Sequence, residues 1–422
     1  MHITIATIGS RGDVQPYVAL GQGLQRAGHR VQIAAEPTFA DFIGGEGLGF
    51  ASISAGLKKA LQEDVSRVGR NPLRFMSWFE NHFKPLARQL FCDLRAACTE
   101  TDALLFSTFA FAAFHVAEAL AIPALSLSLQ PTTPTRAFGS PIVSPLPDWL
   151  PLRGQINWWG FRLSNLLFFR MIRGIVNECR QDILDLAPVP WKFYTSLDAS
   201  GLPTIIGYSP TVVPPPPDWG NWLHTTGYWF LDRKADWEPQ AGLAEFLEAG
   251  APPVCVGIGS MMDRDVDAFT GLVVGALHRS GKRGILLGGW GETGAKGLPE
   301  SILQLRECPH DWLFPQMAAV VHHGGAGTTA AGLRAGVPSV LVPFFADQPF
   351  WADRVYKLGV GPKPIPRSRL SADNLAHAIC VATSDHGIRQ RAHDLSERIR
   401  SEDGVGTAVG LIEHYLAAQR VA

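Results

Sequence analysis

Twice along this chain a series of short apolar runs alternates with amphipathic helical stretches, and four consecutive prolines at 214–217 separate the two series. Residues 2–8 read as a β-strand ending at Gly9-Ser10-Arg11-Gly12-Asp13, and a helical pattern through Val18, Leu20 and Leu24 follows, with a stop at Gly28. Residues 30–35 complete a βαβ unit. The pattern repeats with a strand at 103–107, a helix reaching Ala121 and a strand at 123–129. Beyond the prolines come strands at 253–257, 284–287, 319–322 and 339–344, with helices between them. Strands alternating with helices form parallel sheets covered on both faces. The expected fold is α/β, with two doubly wound halves whose strand C-termini face a central cleft, the place where such sheets bind ligands. Proline neither continues a helix nor sits inside a sheet, so the run reads as a stiff spacer. The expected division is an N-terminal domain over 1–213, a linker over 214–218, a C-terminal domain over 219–395 and a helical tail over 396–422. That tail breaks at Gly404-Val405-Gly406 and crosses back onto the first domain.

The 422 residues suffice for two separate cores. An apolar fraction of 46% against 18% charged residues excludes a chain that is mainly disordered. The net charge of −1 offers no basic stripe for nucleic acid. Cys92, Cys98, Cys179, Cys255, Cys308 and Cys380 are scattered without metal spacing, as expected of reduced thiols in a cytoplasmic protein, and the first residues carry no basic leader. The segment 146–175 is rich in tryptophan and phenylalanine, but Arg153, Arg162, Arg170 and Arg173 interrupt it, so no uncharged stretch can span a bilayer. It reads as an amphipathic helix lining a groove or core, or as one lying at the inner face of a membrane.

The strongest local signal lies at 320–338, where an apolar strand runs into Gly324-Gly325-Ala326-Gly327-Thr328-Thr329 and a helix begins. Glycines let a ligand approach the backbone, and unpaired N–H groups with the helix dipole favour a diphosphate. His323 at the mouth of the loop can add a hydrogen bond or a charge. A dinucleotide pattern competes: Gly325-x-Gly327-x-x-Ala330 satisfies GxGxxA, and Asp347 follows about twenty residues on. The first βα turn, however, is not a dinucleotide loop, and Asp347 adjoins Gln348, a pair suited to sugar hydroxyls.

Together with Gly9-Ser10-Arg11-Gly12-Asp13-Val14-Gln15-Pro16, Pro309-His310-Asp311-Trp312-Leu313-Phe314 and Pro343-Phe344-Phe345-Ala346-Asp347-Gln348-Pro349-Phe350-Trp351, this loop makes the chain similar to family 1 glycosyltransferases of the bacterial and sterol type. These adopt the GT-B fold of two Rossmann-like domains. The 309–314 and 347–351 elements most resemble sterol 3β-glucosyltransferases, while antibiotic glycosyltransferases share the glycine-rich element. The resemblance covers nearly the whole chain, including Glu402-Asp403-Gly404. It implies that His323 contacts the donor diphosphate, that Gly325, Ala326, Gly327 and Thr328 hold its phosphates, and that Asp347 and Gln348 bind hydroxyls of the transferred sugar. Ser10 and Ser260 join the donor side, and Asp13 is the implied catalytic base. Plant relatives stack a tryptophan on uracil where Leu313 stands here, with Trp312 beside it as the substitute, and their ribose-binding glutamate falls on Ala331. The implied donor is UDP-glucose, with a TDP-sugar as the alternative.

The implied chemistry is direct displacement with inversion, in which Asp13 takes the proton of an acceptor hydroxyl and the helix N-terminus with His323 stabilises the leaving diphosphate without a metal ion. Asp13 reads equally as a helix cap. The acceptor is expected in the N-terminal half. There Phe75, Trp78, Phe79, Trp158 and Trp159 suit the pocket of a sterol or triterpenoid, or pack as ordinary core. A macrolide or other polyketide aglycone is the runner-up, followed by an NAD(P)-dependent oxidoreductase and a carbohydrate-binding relative without activity. No protein partner is implied. His29, His82, His115, His224 and His310 fall into no usable pattern and read as structural.

Overall fold

The computed structural model describes residues 1–53, 77, 81, 84–141, 146, 147, 149–191, 201–257, 266–288 and 297–421. Two sheets organise them. The first contains β1 (His2–Ala6), β2 (Arg30–Ala35), β3 (Gly49–Ser52), β4 (Ala103–Ser107), β5 (Ala124–Ser128), β6 (Thr204–Ile206) and β7 (Leu223–Thr225) in the order β3-β2-β1-β4-β5-β6-β7. The second contains β8 (Val254–Gly257), β9 (Gly284–Leu287), β10 (Ile302–Leu305), β11 (Ala319–His322) and β12 (Ser339–Leu341) in the order β10-β9-β8-β11-β12. Every pairing is parallel, with Ile3 beside both Val31 and Ala103, and Val320 beside both Cys255 and Ser339. The central strands are buried end to end because helices cover both faces, which is why they read as continuous apolar runs.

The expected domain border moves. β7 lies beyond the prolines yet pairs with β6 in the first sheet, Thr204 beside Leu223. The proline run is an outer turn of the first sheet, tied down at its end: Thr135 Oγ1 donates to Asp218 Oδ1 at 2.6 Å and the Arg136 N–H to Asp218 Oδ2 at 2.8 Å. Prolines cannot donate to a ladder, but they can sit in the connection between two paired strands, here β6 and β7.

The two halves share a core. Tyr208, Val212, Val213 and Tyr228 of the first half pack with Phe350, Trp351, Val355, Leu395 and Ile399 of the second. Polar ties flank it: Arg354 Nε donates to the Val212 carbonyl at 3.0 Å, and Ser209 and Thr211 hydroxyls donate to Glu402 Oε1 at 2.7 and 2.8 Å. The chain returns to the first half at Gly404, which opens the helix Gly404–Val421. Ala408, Val409, Ile412 and Leu416 of that helix enter the core formed by Ile3, Val18, Leu20 and Val31. Gly23 makes room for it, since a Cβ there would overlap Val405. All six cysteines are free, and four of them, Cys98, Cys179, Cys255 and Cys308, are buried. Among the described residues no helix is long and apolar enough to cross a membrane.

The return strand passes close to the backbone it left. A Cβ on Gly404 would lie 2.5 Å from the Tyr228 carbonyl oxygen and 2.6 Å from the Gly227 carbonyl carbon. Gly404→Ala should therefore destabilise the chain by about 1–3 kcal/mol, the usual cost of forced overpacking. A thermal or urea melt equal to that of the parent chain would show that the crossing is not tight.

Candidate active site

Each sheet reverses its strand order at its first strand: β1 lies between β2 and β4, and β8 between β9 and β11. Crevices open at the C-terminal ends of strands flanking such a reversal. The loops leaving β1 and β11 therefore border a crevice in each half, and the two crevices face one another. A Cβ on Gly327 would come within 4.0 Å of the Gly12 Cα. The helices Arg11–Arg26 and Ala326–Ala335 thus point their N-termini into one cleft. On the rim, Arg11 reaches Glu307 at 3.7 Å and lies 5.0 Å from the Phe42 ring centroid.

Asp13 sits in the first turn of its helix, with Ser10 as the N-cap. The Ser10 N–H and Oγ–H both donate to Asp13 Oδ2, at 2.8 and 3.0 Å. Asp13 is therefore not the N-cap itself but the N3 residue of a capping box, and the Ser10 bonds fall on one oxygen and orient the carboxylate. Burial raises its pKa above the ordinary carboxylate range, and the Ser10 bonds oppose that rise. Gly9, at φ +144°, has to be glycine, because a Cβ there would overlap the Asp13 carboxylate.

In the other half, Gly325 caps the helix Ala326–Ala335, and no acidic residue occupies its first turn. The first amides of that helix have no carbonyl partner within it, so the turn presents free donors of the kind that favour an anion. The His323 ring lies over it: a Cβ on Gly325 would come 2.5 Å from His323 Nε2. His323 Nδ1 is buried and has no hydrogen-bond partner among the described residues. Burial pushes the His323 pKa down to about 4, so the ring is neutral at pH 7 and acts as a hydrogen-bond donor; an arriving diphosphate would raise that value.

Two further histidines lie at this loop; the sequence reading assigned His322 no role and His310 only a structural one. His322 is fully buried, and its Nδ1 accepts the Gly324 N–H at 3.2 Å, which puts its proton on Nε2. Burial holds its pKa well below the ordinary value, so the acceptor persists at any working pH. Gly324 itself has φ +92°, and a Cβ there would lie 3.1 Å from the Gln348 carbonyl oxygen. His310 stacks on Phe314 with ring centroids 4.3 Å apart, and burial, with Arg11 nearby, lowers its pKa to about 4. The doubled histidine before the glycines was the available signal for His322. His310 was legible only as part of the 309–314 motif.

Asp347 follows Ala346, a non-glycine residue at φ +55° whose left-handed backbone swings the loop toward the cleft. Trp351 Nε1 donates to Asp347 Oδ2 at 2.9 Å. Burial raises the Asp347 pKa to about 6; Trp351 and, from the first half, Gln130 oppose the rise by hydrogen bonding, while the Asp13 charge adds to it. The two acids thus feel one another across the cleft. Gln348 is only 5% exposed, and its Oε1 accepts the Phe344 and Phe345 N–H groups at 2.8 and 3.4 Å, so its acceptor end holds the loop and only its amide N–H₂ remains for a ligand.

Other expected site residues fall differently. Leu313 is 0% exposed, packed in the core under the second sheet, so its side chain faces away from the cleft. Trp312 is half-buried and tilts onto Trp237, centroids 5.2 Å apart. Thr328 is half-buried on the first turn of the helix Ala326–Ala335, and Ala326 packs against the shared core. Trp158 lies half-buried under Arg162, and Trp159 is 63% exposed. Ser260, Phe75, Trp78 and Phe79 lie outside the described residues. Along the helix that begins at Gln348, a cavity of about 280 Å³ opens between the halves, lined by Phe138, Arg153 and Asn157 on one side and Phe350, Arg354 and Lys357 on the other.

The coupling of the two acids is measurable. Asp347 should titrate near pH 6 in carboxyl-carbon NMR, and Asp13→Asn, by removing a neighbouring negative charge, should lower that midpoint. A midpoint that does not move would mean that the two carboxylates do not share a cleft.

Known proteins carry the same architecture. The glycosyltransferase family 28 N-terminal domain matches residues 3–139, and the erythromycin biosynthesis protein CIII-like C-terminal domain matches residues 291–407. Among solved structures, the glycosyltransferase of kitacinnamycin superposes with a TM-score of 0.71 at 22% identity, covering 98% of both chains. The calicheamicin glycosyltransferase CalG4 gives a TM-score of 0.70 at 18% identity, covering 99% of this chain and 98% of that one. At these identities the likeness establishes the GT-B fold. A sterol 3-beta-glucosyltransferase of Arabidopsis thaliana is 36% identical over 428 residues, which are 99% of this chain and 68% of the relative. A sterol 3-beta-glucosyltransferase of Emericella nidulans is 39% identical over 427 residues, 98% of this chain. The chain spans about two thirds of the plant relative and under a third of the fungal one. With the paired crevices, the diphosphate-type helix N-terminus and the acid on each side of the cleft, this identity over almost its full length means that the chain belongs to the sterol 3-beta-glucosyltransferase family of glycosyltransferases.

Proposed function

We propose that the chain transfers glucose from UDP-glucose to a hydroxyl of a sterol, with inversion at the sugar carbon and without a metal ion. The observation that carries this reading is the convergence of Asp13 from one half with His323 and Asp347 from the other on a single cleft. The N-terminal half would take the acceptor and the C-terminal half the nucleotide sugar. The acceptor hydroxyl would lose its proton to Asp13 as its oxygen bonds to the anomeric carbon, and the bond from that carbon to the diphosphate oxygen would break on the opposite face. The diphosphate would depart onto the amides of Ala326, Gly327 and Thr328 and the His323 N–H. A helix N-terminus and a hydrogen-bond donor supply the charge stabilisation that a metal would otherwise provide. Asp347, as a carboxylate, and the amide N–H₂ of Gln348 would hold the sugar hydroxyls, and Trp312 would lie along the nucleobase. The glycine run satisfies a dinucleotide pattern because both kinds of loop bring backbone amides against a diphosphate. Six free cysteines suit a reducing compartment, so we assign the reaction to the cytoplasm.

Asp13→Asn should lower turnover by about 10²–10⁴-fold, the usual worth of a general base, while the Kd for UDP-glucose stays close to that of the parent. His323→Ala should weaken both donor binding and turnover, because the lost partner serves the diphosphate before and, more strongly, during departure. Near-parental rates in Asp13→Asn would remove the base.

The acceptor and donor are tested together, by initial rates on a sterol, a polyketide aglycone and a water-soluble phenol, each with UDP-glucose and TDP-glucose, with and without chelator. The expected best pair is the sterol with UDP-glucose, unaffected by chelator. The phenol as best acceptor, with no transfer to the sterol, would overturn the sterol reading.

A further inference from the structure

The helix Arg153–Asp182 is apolar on two opposite sides. Phe161, Phe169, Ile172, Val176 and Cys179 are buried on one of them. On the other, Leu152, Ile156, Trp159, Leu163, Leu166 and Leu167 recur at spacings of three and four and remain 44–69% exposed. Trp149, just ahead of the helix, is 80% exposed. A stripe about 22 Å long, at 1.5 Å per residue, is not the scattered apolar exposure of an ordinary surface.

The charges beside it carry one sign. From Trp149 to Asn177 the sequence has no aspartate or glutamate, but it has Arg153, Arg162, Arg170 and Arg173. Arg162 lies 4.7 Å from the Trp158 ring centroid, and Arg173 lies 4.4 Å from that of Trp191, itself 55% exposed. Leucines on the outer face, tryptophans at its edges and arginines beside them make up a helix that lies in the headgroup region of an anionic bilayer. The stripe also has a destination. Arg153 and Asn157, from the first turns of the same helix, line the cavity between the two halves.

We propose that this face docks the chain on an anionic lipid surface, with the stripe lying flat in the interface and the interdomain cavity opening beside it. Docking stands on the helix alone; its use, delivery of a membrane-borne acceptor to the cleft, rests on the sterol reading above.

The test is co-sedimentation of the full chain with vesicles of phosphatidylcholine, with and without phosphatidylglycerol, at low and high salt. The parent chain should pellet with the anionic vesicles and be released by salt, because the arginine attraction is screened. Leu163→Glu with Leu167→Glu, both at exposed positions that leave the core untouched, should cut the bound fraction about tenfold. The same double variant should keep the parent's melting temperature and its rate on detergent-dispersed sterol. Arg162→Gln with Arg170→Gln should weaken binding to anionic vesicles and leave the weaker binding to neutral ones unchanged. Equal sedimentation of the parent and Leu163→Glu/Leu167→Glu overturns the proposal. So does a parent chain that ignores vesicles and self-associates in the ultracentrifuge through the same leucines, since the face would then be an interface between copies. A chain that docks but transfers nothing to detergent-dispersed sterol keeps the docking surface and loses the acceptor reading.

Discussion

The cleft depends on apolar packing beneath it. Tyr208, Val212, Val213 and Tyr228 interlock with Phe350, Trp351, Val355, Leu395 and Ile399, so the two sheets are not independent bodies joined by a tether. Fully burying each such side chain contributes on the order of 1.5–3 kcal/mol before conformational entropy is counted. Trp351 connects this packing to the chemistry. Its ring is buried in the shared core, while its Nε1–H holds the Asp347 carboxylate. The position of a site acid is thereby set by the contact that joins the halves, and Arg354, on the next turn of the same helix, bonds back to the Val212 carbonyl.

Above that core, burial biases the polar groups of the cleft toward neutrality. Burial raises Asp13 and Asp347 and lowers His310 and His323. Unsatisfied amides at the start of the helix Ala326–Ala335 add a positive field with no side chain to absorb it. A polyanion entering here meets donors that are already oriented and pays little reorganisation, which is the condition under which electrostatic stabilisation is strongest.

Much of this architecture was legible in the residues. Strands 30–35, 103–107, 284–287 and 319–322 were read with their observed bounds, because long apolar runs between glycine and helical signals have few other solutions. β6, Thr204–Ile206, and β7, Leu223–Thr225, were not, since three residues carry no period. Missing β7 is also why the proline run was taken for the border between the domains: a spacer and an outer turn look alike until the next strand is seen. At the cleft, the glycine loop and the Asp347–Gln348 pair stood out from composition and order, whereas Asp13 was singled out as a base only through the family resemblance. His322 could not be assigned a role, because an acceptor for the Gly324 amide is defined by geometry that neighbouring letters do not encode. Leu313 was read as a ligand contact from its motif position, yet its side chain faces the core. The long helix Arg153–Asp182 was left open between core and surface, and it is both.

The helix Gly404–Val421 has a further consequence, which lies in time rather than space. The core under β1 and β2 is finished by Ala408, Val409, Ile412 and Leu416, residues synthesised about four hundred positions after the strands they cover. A ribosome adding roughly 5–20 residues per second keeps that face uncovered for tens of seconds. During this interval Val18, Leu20 and Leu24 form a nascent sheet-and-helix layer with one side unclosed. The second half is therefore synthesised while the first is still incomplete, and the helix Gly404–Val421 closes the first.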